Sequence, residues 1–204
     1  MNEQKLESPF GSYDVLDKID SPSWNDQTRR VVRKRLSEVP GRRFFSEREW
    51  LIAEAIAARI VPQPDRPSPV PIVPFVDEKL HEKRGKGFRY ADMPSAAEAW
   101  RRGLAAIDDE SRIAHGHGFV ELPDEEKNRI LGRVQQGEVA STLWNDLPPR
   151  RFFAVILLDD IVGEYYAHPA AWSEIGFGGP ASPRGYVRLG FDQRDPWEAK
   201  KRQA

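Results

Sequence analysis

Two stretches, "SEREWLIAEAIAARIVP" and "SAAEAWRRGLAAIDDESRIAHG", constrain the fold of this chain more than any other feature. Each opens on a serine with a glutamate three residues later, Ser46 with Glu49 and Ser95 with Glu98. At that spacing the serine oxygen accepts a first-turn N–H while the glutamate reaches back to the serine N–H, so a helix starts there. Behind the first cap, Leu51, Ile52, Ala55, Ile56 and Ile60 share one helical face, and Pro62 stops the segment. Behind the second, Trp100, Leu104 and Ile107 form a stripe with Ile113 near it, and Gly116 closes it.

The same punctuation recurs elsewhere. Ser21-Pro22 precedes Trp24, Thr28, Val31, Val32 and Leu36 at helical spacing, closed by Gly41. Pro74 begins a short helix, "PFVDEKLHEK". "LPDEEKNRILGRVQQG" has acids in its first turn and Gly137 as its stop. "PPRRFFAVILLDDIVGEYYAHP" is apolar on nearly every side of its first half, which predicts the central helix. From Pro62 to Pro74 there are six prolines in thirteen residues, a polyproline-like strap that cannot pair within a sheet. Only "GYVRLGF", 185–191, has a strand-like pattern. The predicted fold is all-α: a compact bundle of about six helices with a long, mostly irregular C-terminal extension. Residues 1–20 are expected as a flexible N-terminal extension, 21–168 as the helical domain, and 169–204 as an aromatic, Gly/Pro-rich partner-binding tail.

Charge and composition narrow the function. With 31 basic and 32 acidic residues, the net charge of −1 gives no global attraction to nucleic acid. There is no cysteine, which excludes disulfides, thiolate metal sites and cysteine nucleophiles. The longest apolar run, Phe152 to Leu158, ends at Asp159 and is far below the ~18 residues of a membrane span. The first residues are polar and acidic, unlike a signal peptide, which points to the cytoplasm, or to the periplasm where a partner carries the export signal.

No catalytic set assembles readily. "HGH", 115–117, suits a helix end better than a metal site, because no third ligand stands at ligand spacing. His168 follows the last helix, where its cationic form suits the helix dipole. Asp108-Asp109-Glu110 lies late on an amphipathic helix, where acids usually face solvent. Asp159-Asp160 interrupts the most apolar helix and is read as a structural ion pair or partner contact rather than an acid–base pair. The run 29–43 holds seven bases and one acid, but Val31, Val32 and Leu36 make it an amphipathic helix with a basic solvated face.

The last 37 residues, from His168, carry Trp172, Phe177, Tyr186, Phe191 and Trp197 among five glycines and four prolines. Spaced aromatics suit interface anchors, and glycine and proline suit a chain following an irregular surface. The succession "FFSEREWLIAEAIAARIVPQ", "AAEAWRRGLAAIDDESR", "LPDEEKNRIL", "RRFFAVILLDDIVGEYYAHP" and "GGPASPRGYVRLGF" resembles the gluconate 2-dehydrogenase subunit 3 family, from about residue 44 to 191. That resemblance implies a non-catalytic small subunit with no cofactor of its own. Its expected partner is a large FAD-dependent flavoprotein of the glucose–methanol–choline type, often with a cytochrome c subunit, in a sugar or polyol dehydrogenase. The small subunit would support the large one's folding, stability or export. The residues expected at the interface are Trp172, Phe177, Arg184, Tyr186, Phe191 and Trp197. Two other classes stay open at this level: an all-α metal-dependent enzyme using His115 and His117, and a basic-helix nucleic-acid module.

Overall fold

Ser46 closes the box its spacing predicts: Glu49 N–H donates to Ser46 Oγ at 3.3 Å, and Ser46 N–H donates to Glu49 Oε2 at 2.7 Å. Ser95 likewise accepts the Glu98 N–H at 3.3 Å, while the Glu98 carboxylate faces Arg102. The computed structural model describes residues 9–64, 66–85, 87, 90–182, 185, 199 and 200. Among these, the regular structure is helical and no strand is present. The helices are α1 (Asp26–Ser37), α2 (Glu47–Ile60), α3 (Ile72–His81), α4 (Ala96–His115), α5 (Asp124–Gln136), α6 (Pro149–Phe152) and α7 (Leu158–Ala167). One π-helical turn, Phe153–Leu157, joins α6 to α7, so the two form a single rod and six rods result. The all-α prediction holds. Gly116 and Gly137 end α4 and α5 with φ of 74° and 73°, the left-handed region that a side chain resists.

The chain divides into two compact units, Pro40–Tyr165 and the two chain ends, Met1–Val39 with Tyr166–Ala204. In the first, α4 packs against α2, α5 and the α6 rod. Its core holds Ile56, Trp100, Leu104, Ile107, Phe119, Phe152, Leu157 and Ile161, all almost fully buried. The Trp100 ring meets Phe45 and Phe152 edge-on, with centroids 5.6 and 6.5 Å away. Gly103 makes the close approach of α4 to this cluster possible, because a Cβ there would fall 2.1 Å from Phe152 Cζ. Gly103→Ala is therefore expected to destabilise the chain by about 1–3 kcal/mol, despite alanine's better helix propensity. Adding Phe152→Leu should recover part of the loss, and urea unfolding of the two variants checks both statements.

Two predicted faces shift. Leu51 is 51% exposed and Ile113 is 55% exposed, and α2 instead buries Ile52, Ala53, Ile56 and Ala57. Alanines complete the stripe because the closely packed neighbours leave room only for methyl groups there. The proline strap is clasped by one side chain: Gln63 Oε1 accepts the Val70 N–H at 2.8 Å, and Gln63 Nε2 donates to the Val70 carbonyl at 3.3 Å. Helix α3 begins at Ile72, two residues before the expected Pro74, which then sits in the first turn where its missing N–H costs nothing.

In the second unit described residues of both chain ends pack together. A 3-10 turn at Val15–Lys18, helix α1 and a longer 3-10 turn at Pro169–Ile175 share one core of Val15, Trp24, Val32 and Trp172. Val15 N–H donates to Ser173 Oγ at 3.1 Å, and Lys18 Nζ donates to the Gly178 carbonyl at 3.0 Å. A Cβ on Gly179 would stand 2.4 Å from Trp24 Cζ2, so the second glycine of "FGGP" serves close packing on an indole. Neither end holds enough apolar surface to bury alone, and together they enclose four large side chains. The strand candidate 185–191 lies, except for Gly185, outside the described residues.

Candidate functional site

In the Pro40–Tyr165 unit the most buried acids, Asp77, Asp108, Glu110 and Asp160, each have a structural occupation. Asp77 of α3 is fully buried and accepts the N–H groups of Arg43 (2.7 Å), Phe44 (3.0 Å) and Phe45 (2.8 Å), pinning the loop that leads into α2. Glu110 of α4 accepts from the N–H groups of Ala140 (2.8 Å) and Ser141 (2.7 Å) and from Trp144 Nε1 (3.2 Å). Asp109 accepts the Ser141 hydroxyl at 2.5 Å. Asp108 accepts the Phe119 N–H at 3.0 Å and is flanked by Arg112 at 3.1 Å and by Arg48. The expectation that the 108–110 acids face solvent is thus corrected for Asp108 and Glu110, which are buried because loops from 118–119 and 140–144 cross that end of α4.

Burial by itself would raise the Asp108 carboxyl. The Phe119 N–H and the Arg48 and Arg112 guanidiniums outweigh it and hold the group below its ordinary value. A lowered carboxylate stabilises the fold above the unfolded-state value of about 3.9, and that stabilisation is lost as pH falls through the lower folded value. Asp108→Asn should therefore be less stable than the parent at neutral pH, with the gap closing in acid. Urea unfolding at neutral pH and at about pH 3 measures this, and a gap that stays constant would contradict it.

Asp160 completes the set. It is buried at the base of α7, accepts Lys79 Nζ at 2.7 Å from α3 and Trp100 Nε1 at 2.7 Å from α4, and so ties three helices together. This is the ion pair expected of the Asp159-Asp160 step. His115 Nε2 stands 3.4 Å from Glu126 and His117 Nδ1 stands 3.5 Å from Glu121, so each histidine has its own carboxylate. Among the described residues no three potential ligands gather around a common point. His168 caps the element that follows α7: its Nδ1 accepts the Ala170 N–H at 3.3 Å and opens the next 3-10 turn.

Beside the Asp160 network lies a groove of about 550 Å³, the feature that sequence reasoning missed. Its floor is the π turn, where the Leu158 N–H reaches back five residues to the Phe153 carbonyl. That wider turn directs Phe152, Phe153 and Leu157 inward and leaves Ala154, Val155 and Ile156 lining the groove opposite Leu80 and Met93. On its walls Lys79 pairs with Asp160, and Arg84 with Glu78 and Glu82, while the exposed Asp159 adds a further carboxylate to the lining. Such π turns are frequent at functional sites. Its one sequence signal was the apolar surplus of "FFAVILL", more than an inward face alone requires.

The residues expected at a partner surface separate. Trp172 is only 8% exposed, and Phe177 stacks edge-on against it at 5.3 Å, so both pack within the unit of the chain ends. Arg184, Tyr186, Phe191 and Trp197 lie outside the described residues.

Comparison with known proteins adds one finding. Residues 47–179, more than half of the chain, match the gluconate 2-dehydrogenase subunit 3 family. The match includes α2 to α7 and the turn carrying Trp172; α1 precedes it, and most of the "GGPASPRGYVRLGF" ending follows it. No curated protein and no solved structure matches the chain.

Proposed function

Because this chain belongs to the gluconate 2-dehydrogenase subunit 3 family, and so to the subunits of a dehydrogenase complex, we propose that it is the non-catalytic small subunit of an FAD-dependent sugar or polyol dehydrogenase. In this reading it binds and stabilises a large flavoprotein of the glucose–methanol–choline type, which carries the FAD and the oxidation chemistry. A cytochrome c subunit is a further partner where electrons leave by that route. The observation that carries the reading is the family match over residues 47–179, which includes α2 to α7. The occupations of Asp77, Asp108, Glu110 and Asp160 support it, since each carboxylate holds backbone or a neighbouring cation in place.

The groove over the π turn is the surface this reading assigns to the large subunit. Its described lining lies wholly within the segment that matches the family. Its lining is mostly apolar, with Leu80, Met93, Ala154, Val155 and Ile156 among it, which suits an apolar anchor. Co-expression of the tagged chain with the flavoprotein encoded beside it is expected to yield a yellow 1:1 complex with dye-linked sugar oxidation. A colourless chain that retains no partner would overturn the reading. Ala154 is exposed in the groove, so Ala154→Arg should leave the helicity and melting of the chain unchanged. It should weaken flavoprotein binding about tenfold or more, as measured by quantitative pull-down.

A further inference from the structure

Within the unit of the chain ends, the N-terminal side is fitted to the C-terminal side at named points. Gly176 and Gly179, with φ of 67° and 76°, each receive an aromatic ring. A Cβ would stand 2.6 Å from Phe10 Cε1 at the first and 2.4 Å from Trp24 Cζ2 at the second. The Ser173 hydroxyl that accepts the Val15 N–H donates to Asp14 Oδ1 at 3.3 Å, and Asn25 Nδ2 donates to Ser182 Oγ at 3.2 Å. In α1 itself only Thr28 and Val32 are buried.

The two sides are tethered differently. The Pro169–Ile175 turn follows α7 with only His168 between them. Helix α1 instead leads into residues 38–42, which have no regular structure and are exposed apart from the half-buried Pro40. Val39 is 58% exposed there, and a Cβ on Gly41 would meet nothing within 4 Å. Anchoring by Asp77 begins at Arg43, whose N–H it accepts. A short exposed segment between a helix and a pinned loop is the kind of place where a hinge sits. The closed contact also carries a defect. Trp24 is 1% exposed, yet its Nε1 has no acceptor among the described residues. Opening returns that N–H to water, which favours release. Asp77, Glu110 and Asp160 give the other unit no such bias, since each is bonded where it lies.

We propose that residues 10–37 are a lid on the Trp172–Phe177 turn, hinged at 38–42, which opens as one piece while α2 to α5 stay folded. The exposure of Trp172 and Phe177 is then switchable. Once released, α1 is a helix of 12 residues without a packed face, too short to persist in water. Its amide hydrogens therefore report the opening.

The test is hydrogen exchange followed by mass spectrometry on the full-length chain, with a covalent lock. The chain has no cysteine, so Asp14→Cys with Ser173→Cys has one disulfide to form, where the two side chains stand 3.3 Å apart. In the parent, α1 should exchange about tenfold or more faster than α4. Oxidation of the pair should slow α1 about tenfold and leave α4 unchanged, and reduction should restore the parent rate. Gly179→Ala pushes a methyl into Trp24 and should speed α1 by a similar factor, again without touching α4. It carries the test alone if the pair does not oxidise, with α4 protection as the control for folding. Simple fraying of α1 would ignore a lock placed ahead of the helix. Exchange of α1 in step with α4, α1 unmoved by the oxidised lock, or Gly179→Ala loosening α4 as much as α1 would each overturn the proposal. The flavoprotein takes no part in this test, so its outcome is separate from that of the proposed function.

Discussion

Replacing Asp77 with alanine is expected to destabilise the chain by about 3–5 kcal/mol. The carboxylate is the acceptor for three consecutive N–H groups, those of Arg43, Phe44 and Phe45. Phe45 itself is buried against Trp100, so water cannot simply take over that donor. An orphaned buried donor costs roughly 1–3 kcal/mol, and three share this acceptor. Asp77→Asn is a sharper control. It keeps the side-chain volume and one acceptor oxygen, but turns an NH₂ toward backbone donors, so it should recover less than half of the loss. Urea unfolding followed by circular dichroism gives the magnitude, and amide exchange at Phe44 and Phe45 shows whether the loop opens first. A loss below about 1 kcal/mol would mean that the loop finds other acceptors.

Lys79→Met is the second large effect, again about 3–5 kcal/mol. Asp160 is buried, and without Lys79 its charge keeps only the Trp100 indole N–H among its described partners. The cost comes from an uncompensated buried charge and not from the loss of a favourable contact alone. Lys79→Met combined with Asp160→Asn should therefore be more stable than Lys79→Met by itself, since the amide oxygen can still accept from Trp100 and no charge remains. That non-additivity is measured by a double-mutant cycle. If the double variant is no better than the single one, Asp160 does not depend on Lys79 for its charge balance.

These two sites mark where local reading stopped. The caps at Ser46 and Ser95 and the stops at Gly116 and Gly137 were legible because each acts within about one helical turn of itself. The roles of the acids were not. Asp108 and Glu110 sit on a helix whose sequence reads as solvent-facing at that end, yet Glu110 meets Ala140, 30 residues away. Asp160 meets Lys79 at a separation of 81 residues. The ion pair of Asp160 was foreseen as a type of contact, because an acid buried in so apolar a helix needs a partner. Which cation supplied it was not.

By itself, then, the sequence determined that this chain is helical, where its rods begin and end, and the family to which it belongs. The helical character and the bounds of the rods follow from caps, stops and periodicity, whose interactions reach only three or four residues along the chain, and the family follows from the match over residues 47–179. The tertiary structure decided which acids are buried, that Val15 and Trp172 from opposite chain ends share one core, and that the apolar surplus of the last rod forms a groove. Those outcomes depend on partners 30 to 160 residues apart. Packing chooses such partners by shape and by the need to satisfy every buried donor and charge, and no periodicity records that choice.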